Sequence, residues 1–168
     1  MNAWFLRVAS TLCAAALCAG VAHAKPKKVE AFDVHTWAQL QGSLGAPAVV
    51  VFTTTDCIYC PATIRDLATE IRQWKLQAQL ITVVMDAAPG DMDAELLRNP
   101  HYQPSDRLLA FEGQAPALRY TVNPGWRGVT PYVAFLRPGV SPAWVTGHPT
   151  ERDLQAWLRL TADDGNGR

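Results

Sequence analysis

The chain has 168 residues, with 15 basic and 15 acidic side chains and a formal net charge of zero. No basic patch of the size that nucleic acid needs is present, which sets that class of partner aside. There is also no internal repeat, no low-complexity tract and no second hydrophobic span, so a repeat array, a disordered scaffold and a multi-span membrane protein are excluded.

The chain opens Met1-Asn2-Ala3-Trp4-Phe5-Leu6-Arg7, one positive side chain ahead of a small-residue apolar run from Val8 to Val21. Ala22-His23-Ala24 then offers an A-x-A cleavage site before the basic Lys25-Pro26-Lys27-Lys28. Residues 1–24 therefore read as a secretory signal peptide. An uncleaved anchor is the alternative, disfavoured because the run is short for a span and ends in a good cleavage site. Neither Cys13 nor Cys18 has the residues expected ahead of a lipoprotein cysteine, so both leave with the leader. Cleavage leaves about 144 residues, enough for one domain with a full core, and a net charge near −1.

Residues 25–30 read as a linker. Phe32 to Leu44 carries Phe32, Trp37 and Leu40 in a polar background, which suits a short strand or turn and then a first helix. Gly45-Ala46-Pro47 breaks it. Ala48-Val49-Val50-Val51-Phe52 is β-branched and aromatic, the composition of a buried strand. Cys57-Ile58-Tyr59-Cys60 follows. A helix from about Pro61 to Ala78 then places Ile64, Leu67, Ala68, Ile71 and Trp74 along one apolar stripe. Leu80 to Met85 is a second apolar strand, ended by Asp86.

Residues 87–106 are polar and carry Pro89, Gly90, Pro100 and Pro104, with a short helix at Glu95-Leu96-Leu97-Arg98. Arg107 to Phe111 reads as a short strand and Ala115 to Tyr120 as a helix. Tyr132 to Leu136 is a strand, Pro138-Gly139 its turn, and Ala143 to Thr146 the next strand, ended by Gly147. Glu151 to Leu160 is a closing amphipathic helix, with Thr150 as its N-cap and Asp153 in its first turn. Residues 163–168 read as a frayed tail. Trp37, Trp74 and Trp157 fall on apolar faces and are expected in the core. This alternation predicts an α/β fold with helices on both faces of a small mixed sheet.

The mature chain keeps two cysteines, Cys57 and Cys60. One pair three residues apart closes a small loop, and loop-closure entropy grows with loop length, so the bond adds little stability. Chemistry explains the pair better than bracing. The cysteines sit where a strand hands over to a helix. There, free backbone N–H groups and the positive end of the helix dipole stabilise thiolate, the reactive form.

With these landmarks the chain resembles the thioredoxin superfamily. The residues that carry the resemblance are Val49-Val50-Val51-Phe52 leading into Cys57-Ile58-Tyr59-Cys60, Thr130-Pro131 ahead of the strand Tyr132 to Leu136, and Gly147 before a final helix ending Leu154-Gln155-Ala156-Trp157-Leu158. Ala117-Leu118-Arg119-Tyr120-Thr121-Val122 is similar to the family's helix ahead of its Thr-Pro. The resemblance covers roughly residues 31–160, within a domain set at 31–162. An insert at about 87–114 resembles the exported TlpA-like and Sco-like branches, which add a strand and a helix there.

The resemblance implies that Cys57 is the attacking thiol and Cys60 the resolving thiol of a redox-active disulfide. It implies that Pro131 is a cis-proline opposite the CxxC, with the Thr130 backbone free to pair with a partner chain. Tyr59, between the cysteines, is expected to be exposed. Trp126 lies in the loop just before Thr130-Pro131, and the two aromatics would form an apolar lip for a partner peptide. The alternative folds Trp126 onto its own domain.

Some residues depart from the family. Asp56 stands where a tryptophan is usual, and a carboxylate there opposes the dipole at Cys57. Asp56 or Thr55 is expected to cap the following helix. Val51 replaces the family's buried acid and so removes one proton acceptor for Cys60. Pro61 sits in the first helical turn, where a missing N–H costs little.

The implied function is a periplasmic thiol–disulfide oxidoreductase. It would exchange dithiols and disulfides with exported proteins, without cofactor or metal, as a monomer with no stable membrane insertion. A membrane thiol-redox protein is a candidate partner. The alternative is a Sco-like chaperone carrying Cu(I) on Cys57 and Cys60, since two thiolates suit that soft ion. Sco-type proteins add a downstream histidine, but Thr130-Pro131 occupies its expected place. His35, His101 and His148 are expected in exposed loops.

Overall fold

A computed structural model describes residues 24–90 and 92–163. The expected leader lies outside these residues, apart from Ala24, as does the expected tail, apart from Asp163. Eleven elements follow one another along the described residues. They are β1 (Val29–Phe32), α1 (Thr36–Gly42), β2 (Ala48–Thr53), α2 (Cys60–Gln73), β3 (Gln79–Val84), α3 (Asp93–Arg98), β4 (Arg107–Phe111), α4 (Ala115–Val122), β5 (Tyr132–Arg137), β6 (Val140–Thr146) and α5 (Glu151–Asp163).

The strands form one six-stranded sheet in the order β1-β4-β3-β2-β5-β6. β1, β4, β3 and β2 run parallel, and β5 runs antiparallel to both β2 and β6. All six β2 residues are buried, as a central strand covered on both faces requires. Their side chains alternate between two cores. Val49 and Val51 join Ile64, Leu67, Ala68 and Ile71 of α2, Leu96 of α3, and Leu154 and Trp157 of α5. Ala48, Val50 and Phe52 join Trp37 and Leu40 of α1, and Leu118 and Val122 of α4, on the opposite face. Each large apolar side chain buried in this way contributes about 1.5–3 kcal/mol of transfer free energy. β6 is an edge strand, half exposed, and it tolerates Pro142 for that reason.

This is a thioredoxin-like fold with one added strand, β4, slotted between β1 and β3, and one short added helix, α3. Among the described residues, no helix is long and apolar enough to cross a membrane.

The structure corrects several expectations. The domain starts earlier than residue 31, because Val29 and Glu30 already pair with Leu108 and Leu109. α2 stops at Gln73, short of Ala78. Lys75 takes a left-handed φ of 51°, and Leu76 N–H bonds back to the Ile71 carbonyl at 2.9 Å. With Lys75 N–H on the Arg72 carbonyl, this is a Schellman stop built on lysine rather than glycine. Trp74 therefore lies past the apolar stripe and is 37 % exposed, outside the core. Thr150 caps α5 as expected, and Asp153 makes the cap reciprocal, with Thr150 Oγ1 donating to the carboxylate at 2.6 Å.

Candidate active site

β2 ends at Thr53 and α2 begins at Cys60, so the CxxC occupies the turn between a central strand and a helix. Cys57 and Cys60 form a disulfide, with their Cα atoms 5.5 Å apart. The two sulfurs belong to residues of unequal access: Cys57 is half-buried, whereas Cys60 is only 1 % exposed. Ile58 and Tyr59 between them are 79 % and 68 % exposed. Pro61 falls in the first turn of α2.

No side chain caps α2; Tyr59 is its N-cap residue, and neither Thr55 nor Asp56 plays the expected part. Thr55 is engaged elsewhere. Its N–H donates to both carboxylate oxygens of Asp86, at 2.9 and 3.0 Å, and its Oγ1 donates at 2.6 Å. Asp86 lies just beyond β3, so the strand next to β2 pins the approach to Cys57. Charge-assisted bonds of this kind are about twice as strong as neutral ones. The carboxylate also faces Tyr102 of the insert, whose hydroxyl pKa is pushed up to about 12, chiefly by burial and then by the Asp86 charge.

The Thr130–Pro131 peptide bond is cis. Pro131 immediately precedes β5, whose first residue Tyr132 is paired with Phe52 near the end of β2. Sheet register thus brings the Thr-Pro turn to the end of the sheet that carries the CxxC. The Pro131 carbonyl accepts a bond from Gly147 N–H at 2.8 Å, which ties the turn to the end of β6. Tyr132 is stacked between Trp126, with ring centroids 4.5 Å apart, and Trp144, at 5.1 Å. Its hydroxyl accepts a bond from Asn123 Nδ2 at 2.8 Å, and burial raises its pKa.

Of the expected site residues, Cys57, Cys60, Tyr59, Thr130 and Pro131 therefore gather at one end of the sheet. Trp126 takes the inward course. It is 8 % exposed, packs on Phe52 with centroids 5.0 Å apart, and donates from Nε1 to the Val129 carbonyl at 3.0 Å. Val129, beside Thr130, is the apolar side chain that this loop presents to solvent. His35 and His101 are exposed in loops, as expected. His148 is also solvent-facing, but its Nδ1 lies 3.0 Å from Thr63 Oγ1 of α2. Among the described residues, no three histidine, cysteine or carboxylate side chains gather to hold a metal ion.

Three contacts escaped sequence reasoning: Asp86 with Thr55, the aromatic sandwich on Tyr132, and His148 with Thr63. The first and last pair residues 31 and 85 positions apart, and no local pattern marks such pairs.

No family model matches the chain, and no curated protein matches it. Solved structures do. A secreted Mycobacterium tuberculosis disulfide oxidoreductase homologous to E. coli DsbE is 19 % identical, aligns over 73 % of this chain and 85 % of its own, and has a TM-score of 0.49. A thioredoxin-like protein from Porphyromonas gingivalis is 15 % identical over 75 % of this chain and 80 % of its own, with a TM-score of 0.47. Chlamydomonas reinhardtii thioredoxin f2 is 13 % identical over 83 % of this chain and 99 % of its own, with a TM-score of 0.40. These likenesses are too distant to carry weight, and the activity has to be read from the residues themselves. The described residues form a thioredoxin-like fold whose disulfide, Cys57–Cys60, stands at the β2–α2 junction with one sulfur-bearing residue accessible and the other enclosed.

Proposed function

We propose that the protein is an exported thiol–disulfide oxidoreductase that acts on protein thiols and disulfides through Cys57 and Cys60. The unequal access of the two cysteines carries this reading. An accessible thiol can reach a partner disulfide, while an enclosed one is reserved for the internal step. In the reduced form the Cys57 thiolate attacks a partner disulfide. One partner sulfur leaves as thiolate and a mixed disulfide forms. The Cys60 thiolate then attacks Cys57 Sγ, the second partner sulfur leaves, and the internal disulfide closes. Two electrons pass to the partner. The reverse sequence oxidises a partner dithiol.

Ile58, Tyr59 and Val129 would form the apolar contact surface, with the Thr130 backbone pairing with the partner chain. The leader-like segment 1–24 supports export, and periplasmic residence is the corresponding location. Cys57→Ser should abolish disulfide reduction, whereas Cys60→Ser should accumulate mixed disulfides with partner proteins. Full exchange activity in Cys57→Ser would overturn the reading.

A further inference from the structure

Release of the mixed disulfide requires Cys60 to lose a proton inside the protein. Cys60 is enclosed, and among the described residues the buried polar side chains are Thr53, Thr63, Thr82 and Ser105, all hydroxyls. None of them is a base at neutral pH, and β2 carries Val51 where an acid would have served. Thr63 lies three residues after Cys60, a spacing that puts the two on one helix face. Its hydroxyl donates to the Tyr59 carbonyl at 3.2 Å, and its Oγ1 lies 3.0 Å from His148 Nδ1.

We propose that His148 accepts the Cys60 proton through the Thr63 hydroxyl. This rests on the redox reading of Cys57 and Cys60. With a lone pair on Nδ1, the Thr63 hydroxyl turns from the Tyr59 carbonyl to donate to the ring. As the Cys60 proton reaches Thr63 Oγ1, the hydroxyl's own proton passes to Nδ1. The Cys60 thiolate is left to attack Cys57 Sγ, and the partner sulfur departs with the electron pair. The His148 side chain is 51 % exposed, so the ring can return the proton to water.

The surroundings suit that task. Gly147, one residue before, is bonded to the Pro131 carbonyl, and Thr150, two residues after, is locked in the α5 cap. The chain on either side of His148 is therefore anchored. Asp66 of α2 lies 4.0 Å from Nε2, and Glu70 of α2 and Glu151 of α5 line the same cavity as the ring. Arg65 stands against Asp66 at 3.4 Å. His148 is a positioning residue in this scheme, because it touches neither sulfur nor partner.

The test follows the reduced full chain with the aromatic disulfide dithiobis(nitrobenzoate) in a stopped-flow spectrometer. The first coloured thiolate reports attack by Cys57, and the second reports release by Cys60. His148→Gln keeps a hydrogen-bonding side chain but no base. It should leave the first phase within about twofold of the parent and slow the second about a hundredfold at neutral pH. The deficit should shrink as pH rises and thiolate forms unaided. Thr63→Val should reproduce this, and Thr63→Ser, which keeps the hydroxyl, should restore the second phase. A second phase within about twofold of the parent in His148→Gln would overturn the proposal, as would equal slowing of both phases. A parent protein with no second phase would overturn the redox reading itself, and this proposal with it.

Discussion

Trp126 decides whether the loop before Thr130-Pro131 is a partner-facing lip or a pillar under the site. Its ring stacks on Tyr132 at an interplanar angle of 15° and meets Phe52, and its Nε1 bonds the Val129 carbonyl. Trp126→Ala removes a buried indole, a change that costs about 3–5 kcal/mol. About 0.5–1.5 kcal/mol of that belongs to each aromatic pair. Trp126→Phe keeps ring contacts and loses the Nε1–H bond, so it should cost nearer 1 kcal/mol. Against a total stability of about 5–15 kcal/mol, the alanine variant should be visibly compromised. Urea unfolding of the oxidised protein, followed by far-ultraviolet circular dichroism, measures both. Alkylation of reduced Cys57 should change little in either variant, because the pillar stands under the Thr-Pro turn. A loss below about 1 kcal/mol in Trp126→Ala would refute the pillar and return the indole to the surface.

Other sites give sharp expectations. Asp86→Ala removes the acceptor of three Thr55 bonds and should cost about 1–2 kcal/mol, with faster hydrogen exchange at the Thr55 N–H as its local signature. The Arg107 guanidinium, which donates to Glu30 at 2.9 and 3.0 Å, is the main cause holding the Glu30 carboxyl below its ordinary value of 4.5. A depressed carboxyl stabilises the fold fully above that ordinary value, and the stabilisation is lost as pH falls through the lower native value. Glu30→Gln should therefore flatten the decline in urea midpoint on acidification below pH 4.5. Its effect should stay small, because the pair is partly solvated. Lys75→Gly should stabilise by about 0.5–1 kcal/mol in thermal melts, since a left-handed backbone suits glycine and strains lysine.

Much of the fold could be read from the chain, because its central elements are strongly patterned. Ala48 to Phe52 can only be a buried strand, and the stripe of Ile64, Leu67, Ala68 and Ile71 can only be a core-facing helix. The insert's strand was legible as well, in Arg107 to Phe111. Element ends were less so. Lys75 stops α2 in a conformation usually announced by glycine, and Trp74 leaves the apolar stripe as a result. The cysteines and Thr130-Pro131 were visible as motifs, and their meeting at one end of the sheet follows from the β2–β5 register. Trp126 could not be placed from sequence, since an indole in a loop is compatible with either face. Asp86 and His148 were invisible as site residues because each acts across the fold, on Thr55 and Thr63, with nothing in its own segment to mark it.

The central claim is that Cys57 and Cys60 form a reversible redox couple rather than a structural brace. Its most direct test is the equilibrium reduction potential of the pair, titrated against glutathione and dithiothreitol and read by alkylation of the two thiols. The account predicts a value between about −120 and −270 mV, the range of disulfide-exchange proteins. A value below about −300 mV, where structural disulfides lie, would contradict it.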